Sequence, residues 1–200
     1  MSHSADQGRG IVHLVGSGPG DPGLITVRGA ECLRRADVVL YDDLSSQALL
    51  DQLDEAVERV YVGKRGSHKT LPQPDVARLL VQHAARGRRV VRLKGGDPYV
   101  FGHGGEEAEA LAEAGVAFEV VPGISSAVAV PAHAGIPLTH PEHADGFQVE
   151  TGHAGDAGGA GPRGGPRRTA VVLMGMRRLV DNVARLRRQG YPGNTPAAVI

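Results

Sequence analysis

Short apolar runs alternate with helical patterns up to residue 121, and this alternation constrains the fold more than any other feature of the chain. The runs are rich in β-branched residues, whereas the segments between them repeat apolar residues every three to four positions. Strands separated by helices predict an α/β fold with a mostly parallel sheet that is covered on both faces. The expected strands are 11–15, 38–41, 57–62, 90–93 and 118–121, and the expected helices are 26–36, 48–53, 76–86 and about 105–113.

The composition and pattern of the sequence change after residue 121, which predicts a second α/β domain over 122–200. The segment Pro122-Gly-Ile-Ser-Ser126 is typical of a hinge, since proline and glycine interrupt regular structure and serine caps helices. We expect residues 1–10 to be a disordered tail, 11–121 to be the N-terminal domain, and the glycine-rich stretch 154–168 to be a mobile loop. The expected elements of the second domain are strands 147–151 and 169–174, helix 179–189 and the beginning of a strand at 196–200. Because that strand stops short, we expect the C-terminal domain to be truncated.

The composition argues against several classes of function. The chain carries 22 basic and 22 acidic side chains, so it has no net charge to draw it onto nucleic acid. No apolar run approaches the roughly 18 residues that a membrane span requires, and the polar start predicts no secretory leader. The single cysteine excludes an internal disulfide and is typical of a reducing compartment, so we expect a cytoplasmic protein.

Nine histidines raise the question of a metal site, above all His140 and His143. Their spacing would suit one face of a helix, but Pro137 and Pro141 argue against a helix there. Since only one cysteine is available as a further ligand, a zinc site is disfavoured, and we expect no metal.

The segment from Val90 to Glu107 is the strongest indication of a ligand site. An apolar strand turns through Gly95, Gly96 and Asp97-Pro98 and then restarts as a helix. A junction of this kind presents backbone N–H groups and one carboxylate to a ligand that lies across the strand end. The glycines allow close approach and the Asp-Pro pair fixes the turn, so we expect a small polar ligand here.

A second glycine-rich turn, Val15-Gly-Ser-Gly-Pro-Gly-Asp21, directly follows the first strand. It is similar to a dinucleotide-binding loop, but the third glycine of that motif would fall at Asp21. Pro19 and Pro22 also remove two N–H donors. We therefore favour a ligand-lining loop of another kind.

Two carboxylates, Asp42 and Asp43, follow the second strand. In an open α/β sheet, carboxylates there face the crevice where ligands bind, although either residue could instead cap the next helix. The residues alone leave both interpretations open. Lys64 and Arg65, after the third strand, offer a proton donor and a carboxylate-binding group, but such a pair is more often solvated surface.

Taken in order along the chain, these segments resemble the tetrapyrrole (corrin/porphyrin) methylase family, and within it the uroporphyrinogen-III C-methyltransferases. The similarity extends from about residue 11 to residue 200. The matching segments are Val15–Asp21, Ala36–Asp42, Gly63–Arg65, Val91–Glu107, Val120–Ala127, Ala134–His140, Thr151–His153 and Leu173–Gly175.

The resemblance implies two α/β domains with S-adenosylmethionine bound in the cleft between them, and a homodimer. It also implies a uroporphyrinogen III substrate, methylated at C2 and C7 to give precorrin-2 for sirohaem or cobalamin biosynthesis. By motif position, Asp42 would be the proton acceptor and Lys64 the proton donor. The residues that would contact the cofactor are Pro19, Gly95, Gly96, Asp97, Val100, Ser125, Ser126 and Met174.

The chain departs from the family pattern at His103 and Pro141, two positions where arginine is usual. Each change removes a fixed positive charge that could serve the substrate carboxylates, because histidine is mostly neutral near neutral pH. By charge alone, the candidates to bind those carboxylates are Arg28, Arg65, Lys69 and Arg92. Two alternatives remain open: a sibling methylase that acts on another precorrin, and a truncated, catalytically impaired protein that only binds tetrapyrrole.

Overall fold

The computed structural model describes residues 10–63, 71–153 and 167–200. The chain divides into two compact units, one that ends at Ser125 and one that begins at Ser126. The domain boundary expected after residue 121 stays a prediction.

Three expectations fall partly or wholly outside the described residues. They are the disordered tail, of which only residue 10 is described, the role of Lys64, and the mobile loop, of which only residues 167 and 168 are described. Among the residues that are described, no helix is both long and apolar enough to cross a bilayer.

The first unit is built on a five-stranded sheet with the strand order β3-β2-β4-β1-β5. Every pairing in this sheet is parallel, which confirms the predicted α/β architecture. The strands are β1 (Ile11–Gly16), β2 (Val38–Tyr41), β3 (Glu58–Tyr61), β4 (Arg89–Lys94) and β5 (Ala117–Val121). Because parallel strands align their carboxyl ends, the loops that follow them share one edge of the sheet.

Helices connect these strands, and each overlaps a predicted helix. They are α1 (Val27–Arg34), α2 (Gln47–Leu50), α3 (Gln73–Ala85) and α4 (Gly104–Glu113). Helix α1 begins after Thr26, whose hydroxyl oxygen accepts a hydrogen bond from the Gly29 N–H at 3.1 Å. This side-chain cap satisfies a donor that the first turn leaves unpaired.

Apolar layers cover both faces of the sheet, as predicted. Val39 and Leu40 are neighbours on β2 but lie in opposite layers, since alternate side chains of a strand point to opposite faces. Leu80 of α3 and Leu111 of α4 are fully buried in the Leu40 layer, and Leu33 of α1 lies in the Val39 layer.

The second unit is smaller and contains two parallel strands. Its elements are α5 (Ser126–His133), β6 (Gly146–Thr151), β7 (Arg168–Leu173) and α6 (Leu179–Arg188). The strand expected at 196–200 is wrong, because these residues have no regular structure. A strand requires a hydrogen-bonded neighbour, and neither β6 nor β7 pairs with this segment.

Candidate functional site

Three loops at the carboxyl ends of β1, β4 and β5 pack backbone against backbone. The Gly96 N–H donates to the Gly18 carbonyl at 2.8 Å, and the Gly18 N–H donates to the Gly96 carbonyl at 3.2 Å. A Cβ atom on Gly123 would lie 2.2 Å from the Gly96 oxygen, and one on Gly16 would lie 2.6 Å from the Gly123 Cα. Side chains at these positions would push the loops apart, so the packing of the chain itself requires these glycines.

Gly95 and Gly96 have structural roles besides the predicted approach of a ligand. A Cβ atom on Gly95 would lie 2.7 Å from the Cβ of Leu44. Gly96 has a φ of 62°, in the left-handed region that favours glycine. The chain therefore explains both glycines by itself, and their contact with a cofactor stays a prediction.

The Asp97 carboxylate holds two loops together. Its Oδ1 accepts a hydrogen bond from the Tyr99 N–H at 2.8 Å, and its Oδ2 accepts one from the Gly123 N–H at 3.1 Å. Next to this turn, the side chains of Val100 and Phe101 are 38% and 46% exposed. The loop thus presents apolar residues beside a turn that the Asp97 carboxylate fixes.

The turn into α4 holds Phe101 and His103 in the left-handed backbone region, with φ values of 52° and 58°. For residues other than glycine, such conformations cost about 1–3 kcal/mol and are concentrated at functional sites. The His103 Nδ1 lies 3.0 Å from Glu106 Oε1 on the surface. The side chain at position 103 is therefore an exposed histidine paired with a glutamate.

Asp42, at the end of β2, is held from two sides. Its Oδ2 accepts a hydrogen bond from Nη2 of Arg92 at 2.7 Å, and its Oδ1 accepts one from the Leu44 N–H at 3.1 Å. The carboxylate thus caps a local turn, whereas the N-cap position of α2 is Ser46. The Asp42 side chain is 25% exposed, so a ligand can still reach it.

Asp43, the second carboxylate of this segment, faces a different partner. The hydroxyl of Tyr61 donates to Asp43 Oδ1 at 2.5 Å. The two carboxylates are therefore distinguished by their surroundings: Asp42 contacts a buried cation and Asp43 a phenol.

Three charged side chains are buried beside Asp42: Arg92 and Lys94 on β4, and Glu107 on α4. Nζ of Lys94 donates to both Glu107 oxygens at 3.0 Å, and Nε of Arg92 donates to Glu107 Oε1 at 3.2 Å. Burial and the nearby Arg92 charge lower the pKa of Lys94, against the opposing effect of Glu107. The sequence reasoning did not single out Lys94 or Glu107. The sequence signal that could have found them is a charged residue within an apolar strand, for Lys94, and one beside the apolar face of a helix, for Glu107.

Two of the arginines proposed for the substrate carboxylates are engaged within the chain. Arg28 donates from Nε and Nη2 to the two oxygens of Glu119, at 3.1 and 2.7 Å. Arg92 is only 4% exposed and is bound by Asp42 and Glu107, so the structure does not support its contact with a substrate.

Of the remaining site residues predicted in the first unit, the structure describes only some. Pro19, next to the Gly18 bridge, and Ser125, at the end of the unit, are both half-buried. Lys64, the predicted proton donor, lies outside the described residues, as do Arg65 and Lys69.

In the second unit, the predicted cofactor contacts are Ser126, the first residue of α5, and Met174, which follows β7. Met174 is 46% exposed. Its φ of 57° lies in the left-handed region, which residues other than glycine seldom adopt. A Cβ atom on Gly152 would lie 2.4 Å from the Gly175 Cα, so the ends of β6 and β7 are in close contact. The side-chain amide of buried Asn182 donates to the Gly175 carbonyl at 3.1 Å and fixes the turn beside Met174.

The structure also brings together His140, Glu142 and His143, with one potential ligand atom from each within 4.8 Å of the others. All three side chains are exposed. The two imidazole rings are stacked, with centroids 4.7 Å apart and planes 21° from parallel.

The fold and these loops define an α/β protein in which several of the predicted site residues follow the carboxyl ends of parallel strands. The chain belongs to the tetrapyrrole (corrin/porphyrin) methylase family, whose family model matches residues 12–200. Siroheme synthase 1 of Pectobacterium atrosepticum is 48% identical to it over 195 residues, which cover 96% of this chain and 41% of that protein. The chain therefore spans about two fifths of the length of the curated relative.

Two solved structures extend the comparison. Uroporphyrin-III C-methyl transferase from Thermus thermophilus, complexed with S-adenyl homocysteine, is 43% identical, with a TM-score of 0.73 and coverage of 90% of this chain and 73% of that one. Cobalt precorrin-4 methyltransferase, a cobalamin biosynthetic enzyme, is 34% identical, with a TM-score of 0.62 and coverage of 70% of this chain and 57% of that one.

Proposed function

We propose that this chain is an S-adenosylmethionine-dependent uroporphyrinogen-III C-methyltransferase, which methylates C2 and C7 to give precorrin-2. The observation that carries the proposal is the 43% identity to the Thermus thermophilus enzyme over 90% of the chain. The motif order supports it, as does a reachable carboxylate, Asp42, at the carboxyl edge of the parallel sheet.

The residues present fit S-adenosylmethionine by their chemistry. The loop after β4 exposes the apolar residues Val100 and Phe101, which suits contact with an adenine ring. We assign its binding to the residues that the motifs indicate: Pro19, Gly95, Gly96, Asp97, Val100, Ser125, Ser126 and Met174. When bound, the cofactor supplies a methyl group already activated on a sulfonium, so the protein's main task is alignment.

The chain's own acid and base would manage the proton. After a pyrrole carbon gains a methyl group, the ring system must lose a proton. A positioned carboxylate can accept that proton. Asp42 fits this role because its carboxylate is oriented by Arg92 and is still 25% exposed. Lys64 is proposed as the proton donor.

The proposal extends to the setting of the reaction. A porphyrinoid substrate, a homodimeric assembly and a cytoplasmic location in sirohaem or cobalamin biosynthesis follow from the family resemblance. Near-zero net charge supports a small-molecule substrate over nucleic acid.

A sibling methylase that acts on a later precorrin is the second candidate. It is favoured by the likeness to cobalt precorrin-4 methyltransferase and by His103 at a position where arginine is usual. The lower identity and coverage of that likeness place it behind the first candidate.

The test is anaerobic incubation of the purified chain with uroporphyrinogen III and S-adenosylmethionine, followed by absorbance and mass spectrometry. The proposal expects the precorrin-2 chromophore and a mass gain of two methyl groups. In a parallel incubation with a later precorrin, methylation of that substrate but not of uroporphyrinogen III would favour the sibling enzyme. Cofactor binding without any methylated product would favour an impaired tetrapyrrole-binding protein.

A further inference from the structure

We propose that Glu107 is a positioning residue, which acts through Arg92 to hold the Asp42 carboxylate in the orientation that accepts a proton. This inference rests on the proposed function of Asp42. It assigns a role to a residue that no sequence motif singled out.

The connection runs through one side chain. Nε of Arg92 donates to Glu107 Oε1 at 3.2 Å, and Nη2 of the same guanidinium donates to Asp42 Oδ2 at 2.7 Å. Nη1 donates to the Leu93 carbonyl at 2.8 Å, which fixes the guanidinium on the strand. Because the guanidinium is planar and rigid, the position of Glu107 determines the direction from which Arg92 approaches Asp42.

Glu107 is itself held firmly. Its oxygens accept two hydrogen bonds from Lys94 Nζ at 3.0 Å, and Oε1 accepts another from the Gln73 side-chain amide at 2.8 Å. Glu107 is fully buried, so water does not compete for these bonds. The four charged side chains of the cluster, Arg92, Lys94, Glu107 and Asp42, balance as two cations and two carboxylates.

The exposure of these groups points to a role beyond stability. Arg92, Lys94 and Glu107 are 4%, 3% and 0% exposed, whereas the Asp42 side chain is 25% exposed. Buried ion pairs often contribute less stability than apolar residues of similar volume. A buried cluster that ends on a carboxylate open to ligand is instead suited to preorganising that carboxylate.

The test is a double-mutant cycle with E107Q and D42N, read as kcat, KM and the dissociation constant for S-adenosylhomocysteine. Asp37 supplies the matched control, because it is a carboxylate paired with Arg89 at the opposite end of the same strand β4. We expect E107Q to lower kcat by at least about tenfold while cofactor affinity stays within about twofold. D37N should leave kcat unchanged.

The cycle separates positioning from simple structural support. If Glu107 acts through Asp42, E107Q should cause little further loss of kcat in the D42N background. An equal further loss in that background would overturn the inference, as would a folded E107Q variant with unchanged kcat. E107D, which keeps the charge, should recover part of the lost kcat.

If E107Q does not fold, the variant R92K tests the inference instead. Lysine at position 92 keeps the charge but lacks the fork that contacts Glu107 and Asp42 together, so R92K should also lower kcat at unchanged cofactor affinity. Unchanged kcat in folded R92K would overturn the inference. If the wild-type chain makes no methylated product, the proposed function is wrong and the inference is wrong with it. That result differs from an additive double-mutant cycle, in which the wild type is active and only the role of Glu107 is contradicted.

Discussion

Asp42 is the residue on which the proposed chemistry depends. It pairs with Arg92 and caps its own turn, yet a quarter of its side chain remains exposed. D42N keeps the shape of the side chain and removes its capacity to accept a proton. We expect turnover to fall by about 10²-fold or more, since general base catalysis typically contributes 10²–10⁴.

S-adenosylhomocysteine binding and far-UV circular dichroism of D42N are the controls, and both should match the wild type. If folded D42N turns over as fast as the wild type, Asp42 is not the proton acceptor.

His13 and His83 give the chain an acid-sensitive stability. Burial is the main cause that lowers the pKa of both His13 and His83 in the folded chain. Each therefore binds a proton less readily when the chain is folded than when it is unfolded, where protonation occurs at about pH 6.5. Stability is present above that pH and is lost as the pH falls toward the lower, folded-state pKa.

We expect the free energy of unfolding, measured by urea denaturation, to fall between about pH 7.5 and about pH 5.5. H13Q and H83Q should each flatten this dependence relative to the wild type. An equally steep slope in both variants would contradict the assignment.

At the scale of elements, glycines let the loops after β1, β4 and β5 meet. A Cβ atom on Gly123 would lie 2.2 Å from the Gly96 oxygen, which is backbone and cannot rotate away. We expect G123A to destabilise the chain by about 2–4 kcal/mol, as for other severe steric changes. Urea denaturation measures this loss.

Gly105 in α4 is the matched control, because nothing lies within 4 Å of a Cβ placed there. G105A should be neutral or stabilising by up to about 1 kcal/mol, since alanine favours helices. Similar destabilisation by both substitutions would contradict the packing account.

Element positions were largely predictable because they follow from local periodicity. Strand β2 has the bounds expected from sequence, and α6 ends one residue before its expected end. The strand expected at 196–200 failed because a strand depends on a partner as well as on its own residues.

The candidate site was predictable only where motifs mark it. Asp42 and Asp97 follow from their positions at strand ends, but the contact of Asp42 with Arg92 depends on β4 lying beside β2. Local patterns do not give that strand order, so Glu107 could not be placed against Arg92 from sequence. The same limit applied to Gly95, whose neighbour is Leu44 on another loop.

At the scale of the whole molecule, the family similarity spans both compact units, since it covers residues 12–200. The proposed cofactor residues are likewise divided between them, with Asp97 in the first unit and Met174 in the second. The central claim is therefore the proposed carbon methylation of a tetrapyrrole by this chain.

Incubation with uroporphyrinogen III and S-adenosylmethionine labelled with ¹³C at the methyl group tests that claim most directly. Under anaerobic conditions, NMR of the extracted tetrapyrrole should show two labelled methyl groups, one on C2 and one on C7. The D42N chain should give little or no labelled product in the same time. Absence of label from the tetrapyrrole carbons, with cofactor bound and substrate intact, would contradict the claim.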